Sequence, residues 1–289
     1  VRMTVALSEG EAARTYNVQT VRQKSLLSTL VYTALTNSVD MEGDLPDEMT
    51  ADFEVRIELD GRAPIVLKDV FSGVSGGRAP AALYGPASAV VGLLTNNPYE
   101  SLRVTRIECD TRVKPGRRTA ELQSMELDSD TYEPGADVKA SVIVRPYKGS
   151  PQRLTATLKL PDDLPDGDYT ATAADESEAA RLTLHDDPNL NNPQNVEQVL
   201  RAVHVMTEAK RTRLTLRVPL GPSGVAVDGK SLPNLPAGVT AVLTTGRRSG
   251  ALPITSALTS SQPTDWVLEG SESAHFTVVR HKRAADAGR

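Results

Sequence analysis

Between Thr119 and Leu184 the chain repeats one phrase: a short run alternating apolar and polar residues, then a turn rich in Pro and Gly. The runs are Thr119 to Leu127, Val138 to Val144, Arg153 to Leu160, Gly167 to Ala173 and Ala179 to Leu184. Glu133-Pro134-Gly135, Lys148-Gly149-Ser150-Pro151 and Leu164-Pro165-Asp166-Gly167 separate them. A period of two buries one face of an extended segment, and Pro and Gly end it. Short strands with turn signals at regular spacing predict two packed sheets, so residues 117–186 are read as a central Ig-like antiparallel β-sandwich.

The flanks read differently. Residues 1–116 are read as an α+β domain. Val1, Met3, Val5 and Leu7 alternate with polar or small neighbours, and a second strand is placed near Arg14 to Val21. Leu26, Leu27, Leu30, Val31, Ala34 and Leu35 recur at helical steps and predict a helix over Arg22 to Val39. Asp52 to Leu59 and Ile65 to Val70 form a hairpin around Asp60-Gly61, and a helix over Ala79 to Leu94 is interrupted by Pro86. Residues 187–289 are read as a β-rich domain behind a linker at His185 to Pro193. A leading helix over Val196 to Met206, capped by Asn192 or Asn195, precedes strands at 212–218, 224–227, 239–243, 266–268 and 276–279. The fold class is therefore mainly β with α+β flanking parts.

Composition narrows the function classes. The chain has 289 residues, with 32 Lys and Arg against 37 Asp and Glu, a net charge of −5. That balance gives no electrostatic footprint for nucleic acid, which calls for a basic domain. The one cysteine excludes a disulfide framework or a cysteine-built metal cluster within the chain. Leu26 to Leu35, behind Arg22 and Lys24, lies too far in for a signal peptide and is too short to span a bilayer. Because the chain begins at Val1, it is read as a processed product or a piece of a longer protein.

Several motifs resemble chemistry. Gly224-Val-Ala-Val-Asp-Gly229-Lys230-Ser231 fits the phosphate-loop expression, in which backbone amides, a Lys and a Ser cradle a phosphate at a helix start. Pro233 and Pro236 oppose that helix, and Asp228-Gly229 is a hairpin turn, so the hairpin is the preferred reading. Gly73-Val-Ser75-Gly-Gly77 fits the esterase elbow and makes Ser75 the candidate nucleophile, but Arg78-Ala79-Pro80 delays the required helix. His185, His204, His275 and His281 all follow it, against the chymotrypsin order. Asp162, Asp163, Asp166 and Asp168 offer oxygens for calcium, though Leu-Pro-Asp-Gly is ordinary turn chemistry. The basic stretch of Arg103, Arg106, Arg112, Lys114, Arg117 and Arg118 is read as a solvated hairpin, and Cys109 as a buried thiol. No cofactor is expected.

One resemblance extends beyond single motifs. It is carried by Tyr132-Glu-Pro-Gly135-Ala-Asp-Val138, Val142-Ile-Val-Arg-Pro-Tyr147-Lys-Gly149, Leu160-Pro161-Asp-Asp-Leu-Pro165-Asp-Gly167-Asp-Tyr169 and Gly229-Lys-Ser-Leu-Pro233-Asn-Leu-Pro236. From about residue 118 to 243 the chain resembles the region downstream of the peptidase domain in bacterial SpoIVB-type serine peptidase proteins. The resemblance implies an exported bacterial protein of the periplasm or cell surface. It also implies that catalytic His and Ser belong to an upstream domain with a Gly-x-Ser-Gly-Ser-Pro-like loop. Here Gly73-Val-Ser75-Gly-Gly-Arg78 stands instead, with no preceding His, so no catalytic residue is carried across. The expectation is a non-catalytic accessory, scaffold or protein-binding region, with protein partners or a homo-oligomer. The alternative is a serine hydrolase or peptidase using Ser75.

Overall fold

The computed structural model describes residues 1–9, 12–40, 45–75, 79–227, 230–233, 235–245 and 251–280. Met3, Val5 and Leu7 are buried while Arg2, Thr4, Ala6 and Ser8 are not, so the alternation seen in sequence is a strand, β1 (Arg2–Glu9), with one core face. It pairs antiparallel with β2 (Ala12–Gln19) and parallel with β5 (Val104–Pro115). The hairpin of β3 (Glu48–Leu59) and β4 (Ile65–Val74) completes a five-stranded sheet in the order β2-β1-β5-β3-β4.

Two helices, α1 (Lys24–Asp40) and α2 (Ala79–Asn96), cover one face of this sheet. Leu27, Val31, Leu35 and Val39, four residues apart, and Leu83, Ala87, Val90, Val91 and Leu94 seal the first core with Val55, Ile57 and Ile107. The expected breaker Pro86 lies inside α2, which runs on around it. The opposite sheet face carries Asp52, Glu54, Arg56 and Glu58 of β3 beside Arg106, Glu108, Asp110 and Arg112 of β5.

The second core is a β-sandwich. One sheet has the order β14-β6-β8-β9, from β6 (Thr119–Leu127), β8 (Asp137–Pro146), β9 (Gln152–Lys159) and β14 (Val267–Glu269). The other, six-stranded, runs β12-β11-β10-β15-β7 with β13 also on β11. Its strands are β7 (Thr131–Tyr132), β10 (Gly167–Asp175), β11 (Arg213–Val227), β12 (Lys230–Pro233), β13 (Leu252–Pro263) and β15 (Ser271–Val278). Val138, Ala140, Val142 and Val144 face Ala171, Ala173, Leu214, Leu216, Phe276 and Val278 across it. The mainly β class is as expected, although β14 on β6 and β15 on β7 are parallel pairs.

Three expectations need correction. Ala179 to Leu184 is helical, within α3 (Glu176–Asp186), because Asp175 caps it by accepting from the N–H groups of Ser177 and Glu178 at 2.7 and 3.1 Å. The expected linker carries the end of α3 and the short α4 (Pro188–Asn191). Residues 239–243 lie in the helix α6 (Ala237–Thr245), which starts where the carbonyl of Pro236 accepts from Val239 and Thr240. Residues beyond 186 contribute to both cores. β11, β14 and β15 share the sandwich interior with β8 and β10, while α5 (Val196–Glu208) sends Val203 into the first core. The predicted helix there is correct, with Asn195 as its cap accepting from Gln198 N–H at 2.9 Å.

Candidate functional site

Ser75 follows β4, its backbone N–H donating to the Asp47 carbonyl at 2.9 Å, so it extends the hairpin ladder. Gly76, Gly77 and Arg78 lie outside the described residues, as does His281. His185 ends α3 and meets Asp186 at 3.3 Å; His275, on β15, meets Thr170 Oγ1 at 2.9 Å; His204 is exposed on α5. The structure brings none of these three imidazoles to Ser75 by a hydrogen bond.

The phosphate-loop phrase is a hairpin. Gly224 stands opposite Pro233, Ala226 opposite Ser231 and Val227 opposite Lys230. A methyl group on Gly224 would lie 2.4 Å from the Leu232 carbonyl oxygen, so close passage of β12 requires glycine there. Ser231 accepts a hydrogen bond from the buried Asn189 at 2.7 Å, and Lys230 is exposed. Gly229 lies outside the described residues. The acidic phrase is dispersed. Asp166 accepts from the backbone N–H of Arg280 at 3.2 Å and Asp168 from Thr277 Oγ1 at 2.8 Å, while Asp162 lies beside Gly135. Among the described residues no group of three His, Cys, Asp or Glu side chains converges as a metal site would require.

What the structure does bring together is a polar junction between the two cores, built on Asp69, Glu176 and the run Lys210-Arg211-Thr212-Arg213. Arg211 donates from Nε to Asp69 Oδ2 at 2.6 Å and from its backbone N–H to Asp69 Oδ1 at 3.0 Å. Pro86 has no N–H to offer the Ala82 carbonyl four residues before it, and Arg211 Nη2 reaches that carbonyl at 3.4 Å. Lys210 places its ammonium on the carbonyls of Lys68 and Thr207, at 2.7 and 3.1 Å. Glu176 accepts from Lys210 N–H at 3.1 Å and lies 3.3 Å from Arg213 Nε. Burial holds the Asp175 carboxyl above the usual carboxylate range at this same corner.

Two further contacts join the cores. Ser72 Oγ accepts from Arg118 N–H at 2.6 Å and lies 3.0 Å from Thr50 Oγ1, which donates to the Gly116 carbonyl at 2.8 Å. At the surface Glu48 accepts from Tyr147 Oη at 2.5 Å and Lys148 Nζ at 3.0 Å, with the Arg117 guanidinium 4.6 Å from the Tyr147 ring centre. The Tyr147 hydrogen bond, then that of Lys148, holds the Glu48 carboxyl below its usual range.

Beside the junction lies a cleft of about 260 Å³ on the open sheet face, lined by Asp52, Glu54, Lys68, Asp110, Arg112 and Lys210 among others. Glu54 lies 2.8 Å from Lys68, Asp110 3.1 Å from Arg112 and Asp52 3.1 Å from Lys114. The basic stretch read as a solvated hairpin thus supplies one side of a lattice of alternating charge. Cys109 is buried, its thiol pushed up to about 12 by desolvation, which removes thiolate chemistry at neutral pH.

Sequence reading missed the junction because Asp69 and Arg211 are 142 positions apart. The available signal was the dense basic run at 210–213 between a helix and a strand. Among the described residues no helix is long and apolar enough to cross a membrane. No family model, curated protein or solved structure matches the chain, so the likeness to the SpoIVB-type region rests on the residues quoted for it.

Proposed function

We propose that this chain is a non-catalytic scaffold and protein-binding region of an exported bacterial envelope protein. It works in the periplasm or at the cell surface, like the region downstream of the peptidase domain in SpoIVB-type polypeptides. The observation that carries this reading is the double hydrogen bond of Arg211 to Asp69, with its neighbours at Glu176 and Ser72. These polar groups tie the α+β layer to the sandwich and hold surface-bearing sheets in one geometry. The lattice of charge on β3 and β5 supplies a face suited to protein partners of mixed charge.

A serine-directed covalent probe tests the reading on the purified chain and on Ser75→Ala. Equal absence of labelling in both is expected. Labelling of the chain that disappears in Ser75→Ala would establish a nucleophilic serine and overturn the proposal in favour of the hydrolase.

A further inference from the structure

On the helical side of the α+β sheet, opposite the lattice of charge, α2 and the loop between α4 and α5 enclose a groove of about 700 Å³. Its apolar surface comes from Ala89 and Leu93 on α2, from Pro193 and from Val199 on α5. The two walls are tied together, because Tyr99 Oη donates to the Pro193 carbonyl at 2.5 Å. Asn97 is spent on holding the chain after α2. It accepts from the N–H groups of Tyr99 and Glu100 at 3.2 and 3.0 Å and donates to the Leu94 carbonyl at 2.6 Å. Asn96 and Asn192 line the same groove, and among the described residues neither side-chain carboxamide has a hydrogen-bond partner. Asn96 Nδ2 stands 4.0 Å from the point that a Cβ on Gly92 would occupy, so it lies over the floor of the groove.

Charge is missing. No Asp, Glu, Lys, Arg or His lines this groove, although Asp, Glu, Lys and Arg make up 24% of the chain. Four other clefts each carry at least one ionisable carboxylate, imidazole or cation. An ionic ligand entering here would lose its hydration and meet no counter-charge.

We propose that this groove binds an extended, uncharged peptide segment of small apolar residues, whose backbone amides pair with the carboxamides of Asn96 and Asn192. This rests on the protein-binding reading above and gives it a site and a partner chemistry. A carboxamide both donates and accepts, so it matches the C=O and N–H groups of a peptide backbone. Ala and Pro side chains of the segment would lie on Ala89, Leu93 and Val199. Pro also keeps a segment extended with no internal hydrogen bonds, which leaves its carbonyls open to the Nδ2 donors and lowers the cost of ordering it. A sugar fits less well. It bears a hydroxyl on most of its carbons, and these would rest on the aliphatic wall without partners. An acyl chain fits less well too, since it would cover both carboxamides and satisfy neither.

The test is a nuclear magnetic resonance titration of the full ¹⁵N-labelled chain with the neutral peptide acetyl-(Ala-Pro)3-amide up to millimolar concentration. Saturable shifts of the Asn96 and Asn192 side-chain NH₂ signals and of the Gly92 amide are expected. Asn96→Ala and Asn192→Ala, both at exposed positions, should each raise the dissociation constant about fivefold per hydrogen bond lost. Ala89→Glu sets a charge on the exposed wall and should weaken binding about tenfold or more, with signals outside the groove unmoved. Should Ala89→Glu misfold, Asn192→Ala in its loop carries the same test. Acetyl-(Ala-Glu)3-amide and maltotriose should leave the Asn96 and Asn192 signals in place. No shift at these two carboxamides with the neutral peptide, equal shifts with the acidic one, or shifts with maltotriose alone overturns the proposal. Absence of peptide binding without serine labelling leaves the scaffold reading standing; labelling at Ser75 removes that reading whatever the peptide does.

Discussion

Arg211 holds Asp69 twice, once through its guanidinium at 2.6 Å and once through its own backbone N–H at 3.0 Å. Asp69 sits on the edge strand of the α+β sheet and Arg211 at the entry to the sandwich strand β11, so the contact couples tertiary units by side chain and main chain together. The Asp69 side chain keeps 8% of its exposure and Arg211 21%. Asp69→Ala leaves a largely desolvated cation and an unpaired N–H and should cost about 3 kcal/mol. Urea unfolding checks this; a loss within about 0.5 kcal/mol, typical of surface substitutions, would contradict it.

Arg217 and Asp186 make a second buried pair, in which the Arg217 side chain is 6% exposed and its Nε has no hydrogen-bond partner among the described residues. Single and double changes of the pair should differ. Asp186→Ala strands the guanidinium and should cost about 3 kcal/mol, whereas Asp186→Ala combined with Arg217→Met, which removes both charges, should cost under about 1 kcal/mol. Thermal unfolding distinguishes them, since about 1 kcal/mol moves the midpoint by roughly 2–3 °C in a chain of this size.

Acid should loosen the surface contact between the cores. The Glu48 carboxyl is held below its unfolded value by Tyr147 and Lys148. A depressed folded value means the contribution is present above the unfolded carboxylate pKa of about 4.3 and fades as pH falls through the folded one. The difference in urea midpoint between the chain and Glu48→Gln should therefore be constant from pH 7 to about pH 5 and close below about pH 4. A difference independent of pH would rule out the Glu48 linkage.

Gly224→Ala tests why the phosphate-loop phrase has its first glycine. The added methyl would lie 2.4 Å from a backbone oxygen, so β12 must move away and Asn189 loses Ser231. Faster tryptic cleavage at Lys230 is expected, with a stability loss of about 2 kcal/mol. Gly221→Ala has nothing within 4 Å of the new methyl and should leave both unchanged. Equal behaviour of the two variants would contradict the packing explanation.

The strand run from Thr119 to Gly167 was legible because period-two burial and Pro-Gly turns are local. So was α5, whose cap Asn195 immediately precedes it. The failures came where a local signal had a competitor. Leu182 and Leu184 alternate as in a strand, but Asp175 caps Glu176–Asp186 and Glu178 pairs with Arg181 at 2.6 Å one turn on. β13 escaped notice because LPITSALTSSQP is polar with proline at both ends, a pattern an edge strand tolerates. Residues 187–289 supply strands to one core and a helix to the other, an arrangement no window of sequence displays. At the candidate site, the hairpin at 224–231 was legible from Asp228-Gly229, while the junction at Asp69 required the fold.

The chain's one Trp and one Cys lie in different cores, Trp266 packed against the sandwich interior and Cys109 inside the α+β layer. Urea titration followed by Trp266 fluorescence and by Cys109 thiol labelling therefore reads the two cores separately in one sample. If the junction at Asp69 and Arg211 makes them one scaffold, the two transitions coincide in the natural chain and separate in Asp69→Ala. Two transitions already apart in the natural chain would contradict the account.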